Sequence, residues 1–357
     1  MSFYDNEAKR YTSDGPFEPP KVIIGCWQLA GGHGELRERE IQVHLRRAVE
    51  LGLTSFDCAD IYTGVEELLG RFLVSLRRDA PDLASRVRIH TKYVPDLDSL
   101  KTVSRKDVVR IIDRSLLRLR LEELYLVQFH WWDLTIPRYV EVLSYLDELR
   151  AMGKIRHLGL TNFGVPEVQA FLDARIPVVS NQVQYSVLDR RPEAALSNLC
   201  KAKGIKLLCY GTTAGGFLTD RYLEAAEPPQ PFDNRSLIKY RLIIEELGGW
   251  GRYQELLREL GVIAVEEGVD IASLCQRFIL TRPSVGGVIV GARNSHHLER
   301  NRRHLEAPLS KEAAERIESI LRDTHSVPGE VYALERDRNG THGRIMRYNL
   351  NDGSKAQ

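Results

Sequence analysis

The feature that most constrains this chain is a rhythm. Short apolar runs rich in β-branched residues recur eight times, at 22–27, 53–57, 87–92, 124–130, 155–161, 178–185, 205–210 and 287–291, and nearly every one precedes a segment of helical length. Those segments are one-faced. In 104–119, Val108, Val109, Ile112, Leu116 and Leu119 fall near one side of a helix, and in 138–150 so do Val142, Leu146 and Leu149. Strands apolar on both faces, alternating with amphipathic helices, predict a parallel sheet covered by those helices. Eight such units predict that the sheet closes into a (β/α)8 barrel, an α/β fold that takes about 250 residues as one domain.

The remaining length divides around that barrel. The expected organisation is an N-terminal segment 1–20, a barrel over 21–323 and a C-terminal tail 324–357. Two regions break the rhythm. A long loop, 211–250, follows the seventh strand, and loops of that length carry extra helices or act as lids. The tail is rich in Arg, Gly and Asn but keeps Val331, Tyr332, Leu334, Ile345, Met346, Tyr348 and Leu350, enough apolar surface to fold back over the barrel.

Composition excludes several classes of function. Fifty basic residues against 49 acidic give a net charge of +1, which removes the bulk electrostatic case for nucleic acid or an anionic membrane. The N-terminus is polar and no apolar run approaches the roughly 18 residues of a membrane span, so the expected location is the cytoplasm. Five cysteines, an odd number with no CxxC pair, predict neither a disulfide framework nor a metal site. No GxGxxG opens the helix after the first strand and no GxxxxGK[ST] occurs, so a Rossmann or P-loop phosphate cradle is absent. Oligomeric state leaves no mark on the pattern.

In a parallel barrel the active site lies where the strand C-termini meet their loops. Asp57 ends the second run, with Tyr62 five residues on in the loop; Lys92 ends the third and His130 the fourth. Each alone has a plain structural reading, as a cap, a packed loop aromatic, a partnered lysine or a satisfied core histidine. Together they make a proton-transfer set. A tyrosine, with an ordinary pKa of about 10, becomes a better acid beside an ammonium. A carboxylate keeps that ammonium charged and in place. A histidine on the next strand can hydrogen-bond a substrate carbonyl and orient it. Trp27, Trp131 and Trp132 follow or end strands, and aromatic walls at the barrel mouth would suit an apolar or cyclic carbonyl compound.

These residues carry a resemblance. Over roughly 20–320 the chain resembles the aldo-keto reductase family: IGCWQLAGG, FDCADIYTGVEELLGRFL, GKIRHLGLTNF, NQVQYS, GGFLTDRY and IVGARNSHHLERN are similar, in order and spacing, to six of its motifs. The resemblance implies an NAD(P)H-dependent oxidoreductase that reduces a small-molecule aldehyde or ketone by hydride transfer. It implies a catalytic tetrad of Asp57, Tyr62, Lys92 and His130, with Tyr62 as general acid. Thr161, Asn162 and Gln182 match residues that hold the nicotinamide carboxamide, and Tyr210 matches the aromatic on which the nicotinamide stacks. Gly291, Arg293, His297 and Asn301 fall in the segment for the adenosine end. Arg293 would pair with a 2′-phosphate, which favours NADP(H), because a guanidinium grips phosphate with two hydrogen bonds.

The chain also departs from the family pattern. Thr161 stands where serine is common, Gly211-Thr212-Thr213 replaces Ser-Pro-Leu, Ala292 stands where some members have lysine, and His297 takes a position often held by Gln or Glu. Two other readings follow from the resemblance: oxidation of a sugar or secondary alcohol with NAD(P)+ on the same site, and a reductase-like regulatory β-subunit that binds a partner protein.

Overall fold

The computed structural model describes residues 17–30, 37–230, 232, 235–291, 298–299, 302, 305 and 307–351. Its strands are β1 (Val22–Gly25), β2 (Ser55–Asp57), β3 (Arg88–Tyr93), β4 (Leu124–Phe129), β5 (Ile155–Thr161), β6 (Val178–Gln184), β7 (Lys206–Tyr210) and β8 (Val285–Gly291). They pair in parallel in chain order, and β8 closes on β1 with Val22 opposite Val288 and Gly25 opposite Gly291. The sheet is a closed (β/α)8 barrel. The first strand is shorter than its apolar run because the chain turns at once through a helical turn, Trp27–Leu29, which carries Trp27 out of the sheet.

Helices α1 (Glu38–Glu50), α2 (Val65–Asp79), α3 (Arg105–Leu119), α4 (Tyr139–Ala151), α5 (Val165–Asp173) and α6 (Ala195–Lys203) follow the first six strands. The start of α3 is set locally. Ser104 Oγ accepts from the Asp107 amide at 3.3 Å while Asp107 Oδ2 accepts from the Ser104 amide at 3.1 Å, so two amides without helical partners are satisfied. The long loop after β7 contains α7 (Arg235–Glu246), which leads into α8 (Gly249–Glu266) and α9 (Ile271–Leu280); α10 (Lys311–Arg322) precedes the tail. Among the described residues no helix is long and apolar enough to cross a membrane.

Strand alternation sorts the side chains. On β4, Val127 and Phe129 face the helix layer, where Phe129 meets Phe163 and Phe171 at ring distances of 5.6 and 6.4 Å. Burying an aromatic of this size contributes about 2–3 kcal/mol. Leu126 faces the barrel axis instead and joins Ile23, Leu208 and Phe17 in a separate buried cluster that fills the floor. Two residues further along β4 stands Gln128, level with Asp57 of β2 and Gln182 of β6, and that change from apolar to polar marks the site.

The tail lies across the opposite, C-terminal end. The Leu97 amide donates to Tyr348 O at 3.1 Å, the Leu350 and Asn351 amides donate to Asp96 Oδ1 at 2.8 and 2.9 Å, and Asn351 Nδ2 reaches Val94 O at 2.5 Å. His342 Nε2 lies 3.1 Å from Glu246 Oε1 of α7. The tail is thereby tied both to the loop after β3 and to the helix in the β7 loop.

Candidate active site

The polar interior begins with a layer supplied by alternate strands, the arrangement expected of an eight-stranded barrel. Asp57 on β2, Gln128 on β4 and Gln182 on β6 converge. Asp57 Oδ2 accepts from Gln128 Nε2 at 2.8 Å and from Gln182 Nε2 at 2.6 Å, and Gln182 also donates to Gln128 Oε1 at 2.9 Å. The other carboxylate oxygen meets Lys92 Nζ at 2.5 Å, and Lys92 makes a second bond to Cys58 O at 2.8 Å. The pair is sealed, with side-chain exposures of 5% for Lys92 and 6% for Asp57. Burial alone would lower the Lys92 ammonium. The Asp57 charge reverses this and holds it above the ordinary lysine value.

Tyr62 is placed by two consecutive turns, its amide donating to Ala59 O and its carbonyl accepting from the Val65 amide, each at 3.0 Å. Its ring stands edge-on to Trp27 at 4.9 Å, with Lys92 Nζ 5.1 Å from the ring centre. Lys92 does pull the phenol pKa down, as the sequence argument requires. Burial outweighs it, and the net position is pushed up to about 12. The phenol therefore stays protonated at neutral pH.

His130 continues the inward row of β4. Its Nδ1 lies 3.1 Å from Thr161 O, and a carbonyl can only accept, so this nitrogen carries the proton. Nε2 is buried and has no partner among the described residues. Burial and then the Arg336 charge bring the ring pKa down to about 3, so the imidazole is neutral and Nε2 offers a lone pair.

These groups form the closed end of a cavity of about 350 Å³. Thr161, Asn162, Gln182, Tyr210 and Gly291 also line it, together with Trp27 and Trp132. The residues fit a nicotinamide nucleotide. Thr161 Oγ1 is buried without a partner among the described residues, and Asn162 Oδ1 accepts from Tyr210 OH at 2.9 Å, which leaves the Asn162 amide nitrogen to donate. Gly211, at φ +72°, lets the chain leave β7 where a β-carbon would collide with the Tyr240 hydroxyl. Arg293, His297 and Asn301 lie outside the described residues.

Trp131 is a correction. It was expected at the mouth, but His130 faces inward and the next residue must face outward. Trp131 is fully buried in the helix layer, 5.8 Å from Phe129, with its Nε1 donating to Ile136 O at 3.0 Å. Trp132, inward again, packs edge-on against His130 at 4.4 Å.

Several groups in and around the site carry no motif of their own. Gln128 was legible in principle, as a lone polar residue two positions before His130 in an apolar strand. Lys239 of α7 lies 5.1 Å from the Tyr210 ring centre and 5.5 Å from that of Tyr332, with Glu335 Oε1 at 3.6 Å. Glu335 also accepts from Arg191 at 2.9 and 3.1 Å. Burial would raise this carboxyl, but Lys239 and Arg191 hold it at about 2. From the tail, Tyr332, Ile345, Met346, Arg347 and Leu350 complete the wall.

Comparison with known proteins agrees with this geometry. Residues 21–322 match the model of the Aldo/keto reductase family. The chain is 27% identical over 325 residues to the aldo-keto reductase YhdN of Bacillus subtilis, covering 89% of this chain and 95% of that one. Among solved structures it is similar to the thermostable aldo-keto reductase Tm1743, with a TM-score of 0.66 at 25% identity, covering 87% of this chain and 97% of that one. It also shares the fold of an aldo-keto reductase from Klebsiella pneumoniae solved in complex with NADPH, with a TM-score of 0.64 at 23% identity over 87% and 93% of the two chains. Members of the family are oxidoreductases that use NADP(H) as cofactor. The chain belongs to the aldo/keto reductase family and is an NAD(P)H-dependent oxidoreductase acting on carbonyl and alcohol groups.

Proposed function

We propose that this protein reduces an aldehyde or ketone to the alcohol with NADPH, and that Tyr62 gives the proton. The observation that carries the reading is the sealed Asp57–Lys92 pair beneath Tyr62, next to a neutral His130 whose Nε2 has no partner among the described residues. Thr161, Asn162 and Gln182 would hold the carboxamide. Both hydrogens of Gln182 Nε2 are already engaged, so its oxygen is the atom left to accept, while Asn162 keeps its amide nitrogen to donate. Tyr210 would carry the ring, with Gly291, Arg293, His297 and Asn301 toward the adenosine end and Arg293 on the 2′-phosphate.

Bound there, NADPH supplies the hydride that reduces the carbonyl carbon. The chain's own residues manage the oxygen. Tyr62 donates its hydroxyl hydrogen to the carbonyl oxygen and keeps that proton until negative charge develops there, because its pKa lies near 12. The phenolate it becomes rests against the Lys92 ammonium, which Asp57 keeps charged. His130 cannot donate to a carbonyl through Nε2. It accepts instead, from the hydroxyl of the alcohol product, and so orients the same oxygen from the other side. The walls given by Trp27, Trp132, Ile61, Val94, Met346 and Leu350 favour a carbonyl on an apolar or aromatic body.

The test is NADPH oxidation against a panel of aldehydes and ketones, comparing wild type with Tyr62→Phe. The variant is expected to lose about 10²–10⁴-fold in kcat, the contribution typical of a positioned general acid. Wild-type rates in Tyr62→Phe on a good substrate would overturn the proton-donor assignment.

A further inference from the structure

One side chain of the tail, Arg336, hydrogen-bonds the main chain beside the site at the exits of two strands at once. Arg336 ends a helical turn, Ala333–Arg336, four residues after Tyr332. Its Nη2 donates to Asn162 O at 2.8 Å and to Trp131 O at 3.3 Å, and its Nη1 donates to Val331 O at 3.3 Å. The guanidinium lies over Phe163 and Tyr332, 5.9 and 5.3 Å from their ring centres. It makes no ion pair among the described residues. Its Nη2 thus spans two main-chain carbonyls, just past the ends of β4 and β5.

Those two carbonyls belong to the residues that most need holding. Asn162 is a non-glycine residue at φ 63°, a left-handed conformation that persists only where the surroundings over-determine it. Its amide donates to Gln182 O at 2.9 Å, its side chain receives Tyr210 OH, and among the described residues its carbonyl is held by Arg336 alone. Trp131 follows His130 directly, so the same guanidinium fixes the exit of the strand that presents His130. Tyr332 adds its ring edge-on to His130 at 5.5 Å.

We propose that Arg336 is a positioning residue of the active site, by which the C-terminal tail locks Asn162 and the end of β4 in their working geometry. The proposal rests on the reading that NADPH binds at the ends of β5, β6 and β7. The charge of Arg336 adds to the effect of the clamp. Three cations face His130: Arg336 from the tail, Lys92 from β3 and Lys239 from α7. All three lower its pKa, opposed by the Thr161 carbonyl, and Arg336 ranks first among them. Tyr332 and Tyr62 face the site as neutral phenols. Arg336 therefore helps keep Nε2 an acceptor.

The experiment compares wild type with Arg336→Met, which keeps the bulk without donors or charge, and with Arg336→Lys, which keeps the charge but not the two-carbonyl span. NADPH affinity is read by fluorescence titration, and the His130 ring is followed by NMR of histidine-labelled protein between pH 7 and 4 without nucleotide. Arg336→Met is expected to weaken NADPH about tenfold while the KM for the carbonyl changes less than threefold. Its His130 signal should begin to titrate about one unit above wild type. Arg336→Lys is expected to keep the wild-type His130 signal and to recover only part of the affinity. Wild-type affinity in Arg336→Met would overturn the proposal. So would equal losses in both variants together with a lowered folding midpoint, the signature of a structural role alone. Failure of the wild type itself to bind NADPH would instead refute the cofactor reading on which the proposal stands.

Discussion

Removing the Lys92 ammonium tests how stability and chemistry divide within the buried pair. Both side chains are about 5% exposed, so the interaction belongs to the buried regime, in which deleting one partner costs about 3–5 kcal/mol because the other charge is stranded. In Lys92→Met the Asp57 carboxylate keeps two donors, Gln128 at 2.8 Å and Gln182 at 2.6 Å, and these soften the loss. We expect a destabilisation of about 3 kcal/mol. With an unfolding entropy of about 2.1 cal/mol/K per residue over 357 residues, that corresponds to a fall in melting temperature of about 4 °C. Asp57→Asn should cost a similar amount, since Lys92 loses its counter-charge and keeps only neutral acceptors such as the Cys58 carbonyl. The double variant Asp57→Asn/Lys92→Met strands no charge, and its loss should fall at least about 1 kcal/mol short of the sum of the singles. Activity should not recover with it, because Tyr62 loses the cation that stabilises its phenolate. The assay is a melting series with parallel NADPH-oxidation rates. Additive losses within about 0.5 kcal/mol would refute the coupling, and an active double variant would refute the role given to Lys92.

Two further outcomes follow from atoms without partners. Asp60 is buried in the loop after β2, with Oδ1 unsatisfied and Oδ2 accepting from the Val94 amide at 3.2 Å. Burial and then the Glu66 charge push its pKa up to about 8, against an unfolded value of about 3.9. The native state thus holds an extra proton between about pH 4 and 8, and stability falls as pH rises through that window. Asp60→Asn should therefore melt higher than wild type at pH 8.5 and close to it at pH 4.5; an equal difference at both would contradict the assigned shift. Thr161→Val removes a hydroxyl that has no partner among the described residues, so melting should move by no more than about 2 °C while NADPH binding by calorimetry weakens about five- to tenfold. Unchanged binding would remove Thr161 from the carboxamide site.

What the sequence makes legible is what repeats locally. The strand runs and their helices follow from periodicity, and the positions of Asp57, Lys92 and His130 at strand ends follow from the barrel. Trp131 shows the cost of reading a motif without its phase: alternation from an inward His130 already sends it outward. The Tyr62 environment needed a quantity that sequence does not carry, since the ammonium effect is visible in the pattern but the opposing burial is not. The tail was legible only as apolar enough to fold. Arg336 reaches Asn162 across 174 positions and Leu350 reaches Asp96 across 254, and no periodicity encodes such distances. Lys239 and Tyr332 belong to the same class of contact made by topology, whereas Gln128 stands out in its strand as a lone polar residue.

The strap over the mouth also sets an order of events during synthesis. The contacts that fasten it join residues 331–351 to strand ends, loops and α7, all made earlier, and the barrel itself closes only when Val288 pairs with Val22. A growing chain can assemble most of the sheet and its helices before the last wall of the pocket exists. Contacts of such separation form late, because the entropy of closing the intervening chain must be met first. Ribosomes that stop short of Arg336 would release a barrel with its proton-transfer residues in place and its Asn162 carbonyl unheld. On the proposed reading, catalytic competence thus waits on residues 331–351, which are made after every strand of the barrel.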